Sequence, residues 1–226
     1  MPHAACTDTC VVIPLYNEAQ VIADVIASVR QVFPTVVCID DGSTDDSAER
    51  AFAAGATVIP HPINLGQGAS LQTGFDYVMR ATTKQWVVTF DADGQHSVDD
   101  ARAMVERGAR ENLDIVYGSR FLQGRAETGL AKRIVLKTAA RVTAMRTGVK
   151  LTDAHNGLRV LSRRAVGQIR LNHNRMAHAS EIVVQLAKTE LPWAEHPVHI
   201  TYTDYSRAKG QSLLNSVNIL TDLIID

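Results

Sequence analysis

Two aspartates one residue apart, in Asp91-Ala-Asp93-Gly-Gln95, are the side chains best placed by type and spacing to do chemistry. They follow directly on Trp86-Val-Val-Thr-Phe90, an apolar, β-branched run that reads as a buried strand. The pair therefore belongs at the carboxyl end of a strand, where open α/β sheets bind ligands. Two carboxylates joined by a small alanine suit a hard divalent cation, Mg2+ or Mn2+, that also holds a diphosphate. An acidic turn closing the strand accounts for the same residues without chemistry.

Three further segments end strands in polar residues. In Val11-Val-Ile-Pro-Leu-Tyr-Asn-Glu18, Pro14 cannot extend a ladder, which leaves Tyr16, Asn17 and Glu18 at the carboxyl edge of the sheet. Val36-Val-Cys-Ile-Asp-Asp-Gly-Ser-Thr-Asp45 ends in Asp40 and Asp41, and an aspartate here can accept from a base N–H or a ribose hydroxyl. Helix capping by Thr44 and Asp45 is the structural alternative, and it needs neither Asp40 nor Asp41. Asn64-Leu-Gly-Gln-Gly-Ala69 is glycine-rich before a helix, so its amides could approach a phosphate.

The elements that must position these residues follow from hydrophobic period. Strands are expected over residues 9–13, 35–39, 56–60, 86–90 and 114–117, and helices over 19–32, 44–54, 69–81 and 98–110. Thr44 and Ser97 are read as N-caps. Such alternation argues for a mostly parallel sheet with helices on both faces, a Rossmann-like α/β fold. After Gly118 the rhythm changes to a basic amphipathic helix over 130–145, a polar loop over 152–157, helices over 163–169 and 180–189, and a late strand over 193–202. The whole is read as one domain, 1–226, with a nucleotide-binding half over about 9–120, an acceptor-binding half over about 121–212, and a C-terminal helix over 213–226.

Composition narrows the partners. A net charge of −1 gives no global field for nucleic acid, so any anion site must be local. Cys6, Cys10 and Cys38 are too few for a disulfide framework; Cys38 lies in an apolar run, and Cys6 and Cys10 lack the second pair that a zinc site needs. The pattern fits a reducing cytosol. No secretory leader is read, and no apolar stretch approaches the ~20 residues of a membrane span.

Taken together, the spaced motifs between about residues 11 and 212 resemble the inverting glycosyltransferases of family two, built on the GT-A fold, and most of all their dolichol-phosphate-mannose-synthase-like, polyprenyl-phosphate branch. The resemblance implies that Pro14, Tyr16, Glu18 and Asp41, with Ala92 between the two acids, hold the donor nucleotide. It implies that Asp91, Asp93 and Gln95 coordinate the metal on the diphosphate. Arg120, in Tyr117-Gly-Ser-Arg120, would face donor or acceptor phosphate. Asp153, in Asp153-Ala-His-Asn-Gly-Leu-Arg159, takes the position of the catalytic base. Arg207 and Lys209, in Ser206-Arg-Ala-Lys-Gly-Gln-Ser212, match a basic loop that closes over phosphate. Two departures stand out. Gln67 replaces a lysine common in the glycine-rich segment, and Ala154-His155-Asn156-Gly157 replaces the usual threonine–glutamine–cysteine–glycine. His155 is read as a structural imidazole or an acceptor contact.

The implied reaction is metal-dependent, inverting transfer of a sugar from a UDP-linked donor to polyprenyl phosphate. Its variants are a GDP-mannose donor or a saccharide hydroxyl acceptor; a noncatalytic nucleotide-sugar-binding protein is the rival from another class. A hydroxyl acceptor needs Asp153 as base, whereas a phosphate acceptor needs it only as orienter and needs cations such as Arg120, Arg133, Arg159, Arg207 and Lys209 to screen repulsion. The basic helix over 130–145 either lies on an anionic membrane or faces water. The segment 213–226 either docks on a small membrane protein or covers the domain's own core. A cytoplasmic protein, peripheral at the membrane, is the expectation. A dinucleotide oxidoreductase is disfavoured because the first strand lacks the glycine fingerprint.

Overall fold

The alternating pattern of the first 120 residues assembles into one twisted sheet. The computed structural model describes residues 4–122, 150–175 and 177–201. The helices expected over 130–145 and 213–226, and with them Arg133, Arg207 and Lys209, lie outside the described residues.

After a short α1 (Ala4–Thr7), the elements are β1 (Thr9–Leu15), α2 (Ile22–Arg30), β2 (Thr35–Asp40), α3 (Ser47–Ala53), β3 (Thr57–Pro60), α4 (Gln67–Ala81), β4 (Trp86–Thr89), α5 (Val98–Glu111) and β5 (Ile115–Ser119). Beyond residue 149 come β6 (Arg159–Ser162), α6 (Arg163–Val166), α7 (His178–Lys188) and β7 (Trp193–Pro197). The seven strands run in the order β3-β2-β1-β4-β6-β5-β7. All neighbours pair in parallel except β6, which is antiparallel to both β4 and β5. The fold is therefore a mostly parallel α/β sheet with strands from both halves of the chain.

Chain order reverses between β1 and β4. A crevice opens outside the carboxyl ends of strands at such a switch point, because the connections leave on opposite faces. β1 is buried on both sides, as its unbroken run of apolar residues requires. Val11 and Ile13 join Val36 and Cys38 in the core beneath α2 and α5. Cys10 and Val12 join Val37 and Ile39 in the core beneath α4 and α7.

Several boundaries differ from the sequence reading. β1 continues through Pro14 to Leu15, because pairing with β4 ends at Val12↔Thr89 and only β2 flanks Pro14, opposite Ile39. Helix α3 begins at Ser47 rather than at a Thr44 cap: Asp45 Oδ1 accepts from the Ser47 amide, and the Thr44 amide donates instead to Asn17 Oδ1. The Ser97 cap forms, its hydroxyl accepting from the Asp100 amide. β6 was not read as a strand, since Arg159 interrupts its apolar run, yet Val160 and Leu161 are fully buried between β4 and β5. The late strand stops at Pro197, with one isolated bridge at His96↔Ile200.

All three cysteines are buried and unbridged, and burial pushes the Cys10 and Cys38 thiols up to about 12, so they are inert at neutral pH. No helix among the described residues is long and apolar enough to cross a membrane.

Candidate active site

The crevice at the switch point is a cavity of about 600 Å³. Pro14, Tyr16, Glu18 and Asp41 line it, as do Asp91, Ala92 and Asp93, together with Arg159, Arg175 and His178. Arg120, Asp153 and Gln95 are not among its lining residues.

The acidic pair leaves β4 through a turn at Gly94, whose φ of 73° favours glycine. Asp91 and Asp93 have different surroundings. His96 Nε2 donates to Asp91 Oδ2 at 2.8 Å, and Gln67 Nε2 donates to Oδ1 at 3.2 Å. Burial alone would raise the Asp91 pKa, but the adjoining His96, and then Arg159, hold it below the usual carboxylate range. Among the described residues Asp93 accepts only from the Gln95 amide, at 3.0 Å. Burial, and then the charge of Asp91, push its carboxyl up to about 6. Asp93 is thus a carboxylate with no ion pair among the described residues, facing a cavity.

That environment fits a hard cation: the donors are oxygens and one charge is uncompensated. The described residues form no cluster of three or more His, Cys, Asp or Glu side chains that could cage an ion unaided. Mg2+ and Mn2+ are commonly held by one or two carboxylates plus substrate phosphates, which this arrangement allows. Gly157 completes the floor. A Cβ there would lie 2.3 Å from Asp91 Oδ2, so only glycine lets the loop before β6 lie against the carboxylate.

The glycine-rich turn differs from expectation. Its amides are already committed within the protein: Leu65 N and Gly66 N donate to Asp41 at 2.9 and 2.7 Å, and Gly68 N donates to Asn174 O at 2.8 Å. Those three amides do not form a phosphate cradle. The glycines serve packing instead, since a Cβ on Gly66 would meet Asn174 O at 2.3 Å and one on Gly68 would meet His173 O at 2.1 Å. The segment 172–175 is pressed against the turn and held from behind by Glu181, which accepts from the Asn172 and His173 amides.

The cavity-lining imidazoles are neutral. Burial lowers the His155 pKa to about 4, and its Nε2 meets Ser180 Oγ at 3.3 Å. Burial also lowers His178, whose Nδ1 donates to Arg175 O at 2.7 Å. Nε2 of a neutral His178 is then a lone-pair acceptor. Arg159 is 2% exposed, and its one side-chain hydrogen bond among the described residues is Nη2 to Ala154 O at 3.4 Å. A guanidinium has five N–H donors. Arg159 therefore reaches the cavity with donors to spare.

Asp153 and Arg120 form a closed pair beside the cavity. Arg120 Nε and Nη2 donate to the two carboxylate oxygens at 2.6 and 2.7 Å, and the Arg120 amide adds a third bond at 3.1 Å. Burial would raise the Asp153 pKa, but the Arg120 hydrogen bonds and charge hold it below the usual range. Glu195, on β7, accepts from Thr152 N at 2.7 Å and Asp153 N at 3.3 Å and fixes the loop.

The roles of His96, Arg175, His178 and Glu195 were not read from the sequence. His96 adjoins Gln95 and offered a signal; Arg175, His178 and Glu195 approach from a loop, a helix and a strand more than 50 residues beyond Asp93.

The sequence matches the Glycosyl transferase family 2 profile over residues 10–170. An uncharacterised protein of Methanocaldococcus jannaschii is 32% identical over 220 residues, spanning 95% of this chain and 90% of that protein. The UDP-N-acetylglucosamine–dolichyl-phosphate N-acetylglucosaminyltransferase of Methanococcus voltae is 27% identical over 238 residues, spanning 95% of this chain and 94% of that enzyme. Glucosyl-3-phosphoglycerate synthase of Mycobacterium tuberculosis, solved with Mn2+, uridine diphosphate and phosphoglyceric acid, has the same fold. The TM-score is 0.70 at 19% identity, over 95% of this chain and 78% of that one.

Proposed function

This chain belongs to glycosyl transferase family 2, and from that premise we propose that it moves a sugar, with inversion, from a UDP-linked donor to polyprenyl phosphate, using Mg2+ or Mn2+. The observation that carries the reading is Asp93: a carboxylate pushed up to about 6, without a cationic partner among the described residues, facing the cavity beside an anionic Asp91.

Asp91 and Asp93, with Gln95 behind them, would hold the cation. When bound, it neutralises charge developing on the departing diphosphate. The chain's own residues do the rest. The Tyr16 side chain, at the mouth and 45% exposed, stacks on the base, and Asp41 accepts from it. Pro14, Glu18 and Ala92 shape the nucleotide end. Arg159 donates to a donor or acceptor phosphate, in a site dry enough for each hydrogen bond to act strongly. Arg133, Arg207 and Lys209 would screen the acceptor's charge.

The state of Asp153 favours a phosphate acceptor over a hydroxyl. A carboxylate gripped at both oxygens by Arg120 and held below its usual pKa is a weak proton acceptor. An acceptor that is already an anion needs no base, and Asp153 then serves to orient Arg120. The name of the Methanococcus voltae relative, a dolichyl-phosphate transferase, supports the same choice. The protein would act peripherally at the cytoplasmic face of the membrane, with the segment 213–226 available to dock there or on a small membrane protein.

The test is UDP release by purified protein from a panel of UDP-sugars with Mn2+, supplied either with undecaprenyl phosphate in detergent or with saccharide alcohols. Release that depends on undecaprenyl phosphate is expected. Release only with saccharides would overturn the acceptor assignment, and release from a GDP-sugar alone would overturn the donor.

A further inference from the structure

Beside the cavity lies a hydrogen-bonded chain of three side chains, of which Asp41 alone lines the cavity. His61 follows β3, and its amide is anchored on Asp40 O at 2.8 Å. Its Nδ1 lies 2.8 Å from Asp41 Oδ1, and its Nε2 lies 2.9 Å from Thr73 Oγ1, on α4. The side chains of His61 and Asp41 are 8% and 5% exposed. His61 does not line the cavity, whereas Asp41 does.

The acceptor sites of Asp41 can be counted. An ionised carboxylate offers about two lone-pair sites per oxygen. Oδ1 takes Leu65 N and His61 Nδ1, so it is full. Oδ2 takes Gly66 N and keeps one site. Because a carboxylate only accepts, Nδ1 must carry the proton, and Thr73 holds the far side of the ring. The ring thereby fixes the rotation of the carboxylate about its own axis. With Oδ1 saturated, the single acceptor site left open by the described residues is on Oδ2, at a cavity-lining residue.

We infer that His61 is a positioning residue for nucleobase recognition: through Asp41 it aims one acceptor site at an imide N–H, which uracil has and cytosine lacks. The inference rests on the donor-site reading above. Cytosine presents a ring lone pair where uracil presents N3–H, and a carboxylate repels it. If Asp41 rotated freely, its oxygens could follow the amino group of cytosine and the preference would fade. The same carboxylate holds the Gly66 amide, so the ring also braces the turn that packs on Asn174.

The test is calorimetric binding of UDP and CDP, each with Mn2+, to the full-length protein and to His61→Leu, His61→Asn and Thr73→Val. Asparagine places an amide N–H close to where Nδ1 stands; leucine keeps volume without a donor. Wild type is expected to prefer UDP. His61→Leu should lose about tenfold of that preference, near the lower end for a hydrogen bond to a charged group. His61→Asn should restore most of it, and Thr73→Val should show a smaller loss. If His61→Leu does not fold, the Asn and Val variants carry the test. A UDP preference unchanged in every folded variant, or one that asparagine fails to restore, overturns the inference alone. Equal binding of both nucleotides by wild type overturns the aiming of Asp41. A wild type that binds neither overturns the donor-site reading and the inference with it.

Discussion

Asp93→Asn should stabilise the metal-free protein at neutral pH while abolishing cation-dependent nucleotide binding. The reason is linkage. The folded protein raises the Asp93 carboxyl from an ordinary 3.8 to about 6, so folding favours its protonated form. Below about pH 4 it is protonated in both states and contributes no difference. As pH rises from about 4 to about 6 the unfolded chain releases the proton first, and stability falls; above about 6 the full penalty is present. A shift of about two units is worth at most ~3 kcal/mol at 1.36 kcal/mol per unit. Asp93 is partly open to the cavity and shares its titration with Asp91, so about 1–2 kcal/mol is the expected gain. For a chain of this size that corresponds to roughly 3–6 °C in Tm. The assay is thermal unfolding of both proteins in EDTA from pH 4 to 8, repeated at pH 7.5 with Mn2+ and UDP. The variant's advantage should be near zero at pH 4 and reach its plateau above pH 6, and only wild type should be stabilised by Mn2+ with UDP. An equal advantage at all pH values, or none at pH 7.5, would refute the claim that Asp93 is held as a strained acid.

Asp153→Asn removes the carboxylate charge that orients Arg120 and should cut turnover by about 10- to 100-fold, as expected for breaking a hydrogen bond between charged partners, with UDP affinity near that of wild type. A collapse of UDP affinity in calorimetry would place Asp153 in the nucleotide site instead. Arg159→Met removes a buried cation while keeping bulk, so apo stability should hold within about 1 kcal/mol while UDP affinity drops at least tenfold; unchanged affinity would remove Arg159 from phosphate binding. Gly68→Ala drives a methyl into His173 O and His178 Cβ, and Tm should fall by at least several degrees, with about 1–3 kcal/mol lost to overpacking. A neutral Gly68→Ala would mean that the 172–175 segment is not packed against the turn.

The parts of this molecule legible in the sequence are those set by local pattern. The apolar run at residues 86–90 and the acids after it, the first strand as far as Ile13, and the Ser97 cap each depend on neighbours within a few positions. The switch-point cavity followed from the strand–helix order, because parallel strands must put their carboxyl ends on one edge. What escaped was decided across long separations. The glycine-rich turn looked like a phosphate loop, but its amides are taken by Asp41 and Asn174, about 25 and 106 residues away. Arg159 was expected only as a cation for the acceptor phosphate; its burial was not legible, because β6 inserts between β4 and β5 and carries it into the sheet. The pairing of Arg120 with Asp153 was equally invisible: each was read for its own role at the substrate, and nothing local showed that the two side chains meet.

One measurement bears on the central claim more directly than any other: the anomalous density of manganese in crystals soaked with Mn2+ and UDP. The account predicts a single strong peak bound by Asp93, with Asp91 beside it, bridging to the diphosphate, with the base between Tyr16 and Asp41. Manganese bound away from both acids, or a nucleotide lying outside the cavity, would contradict it.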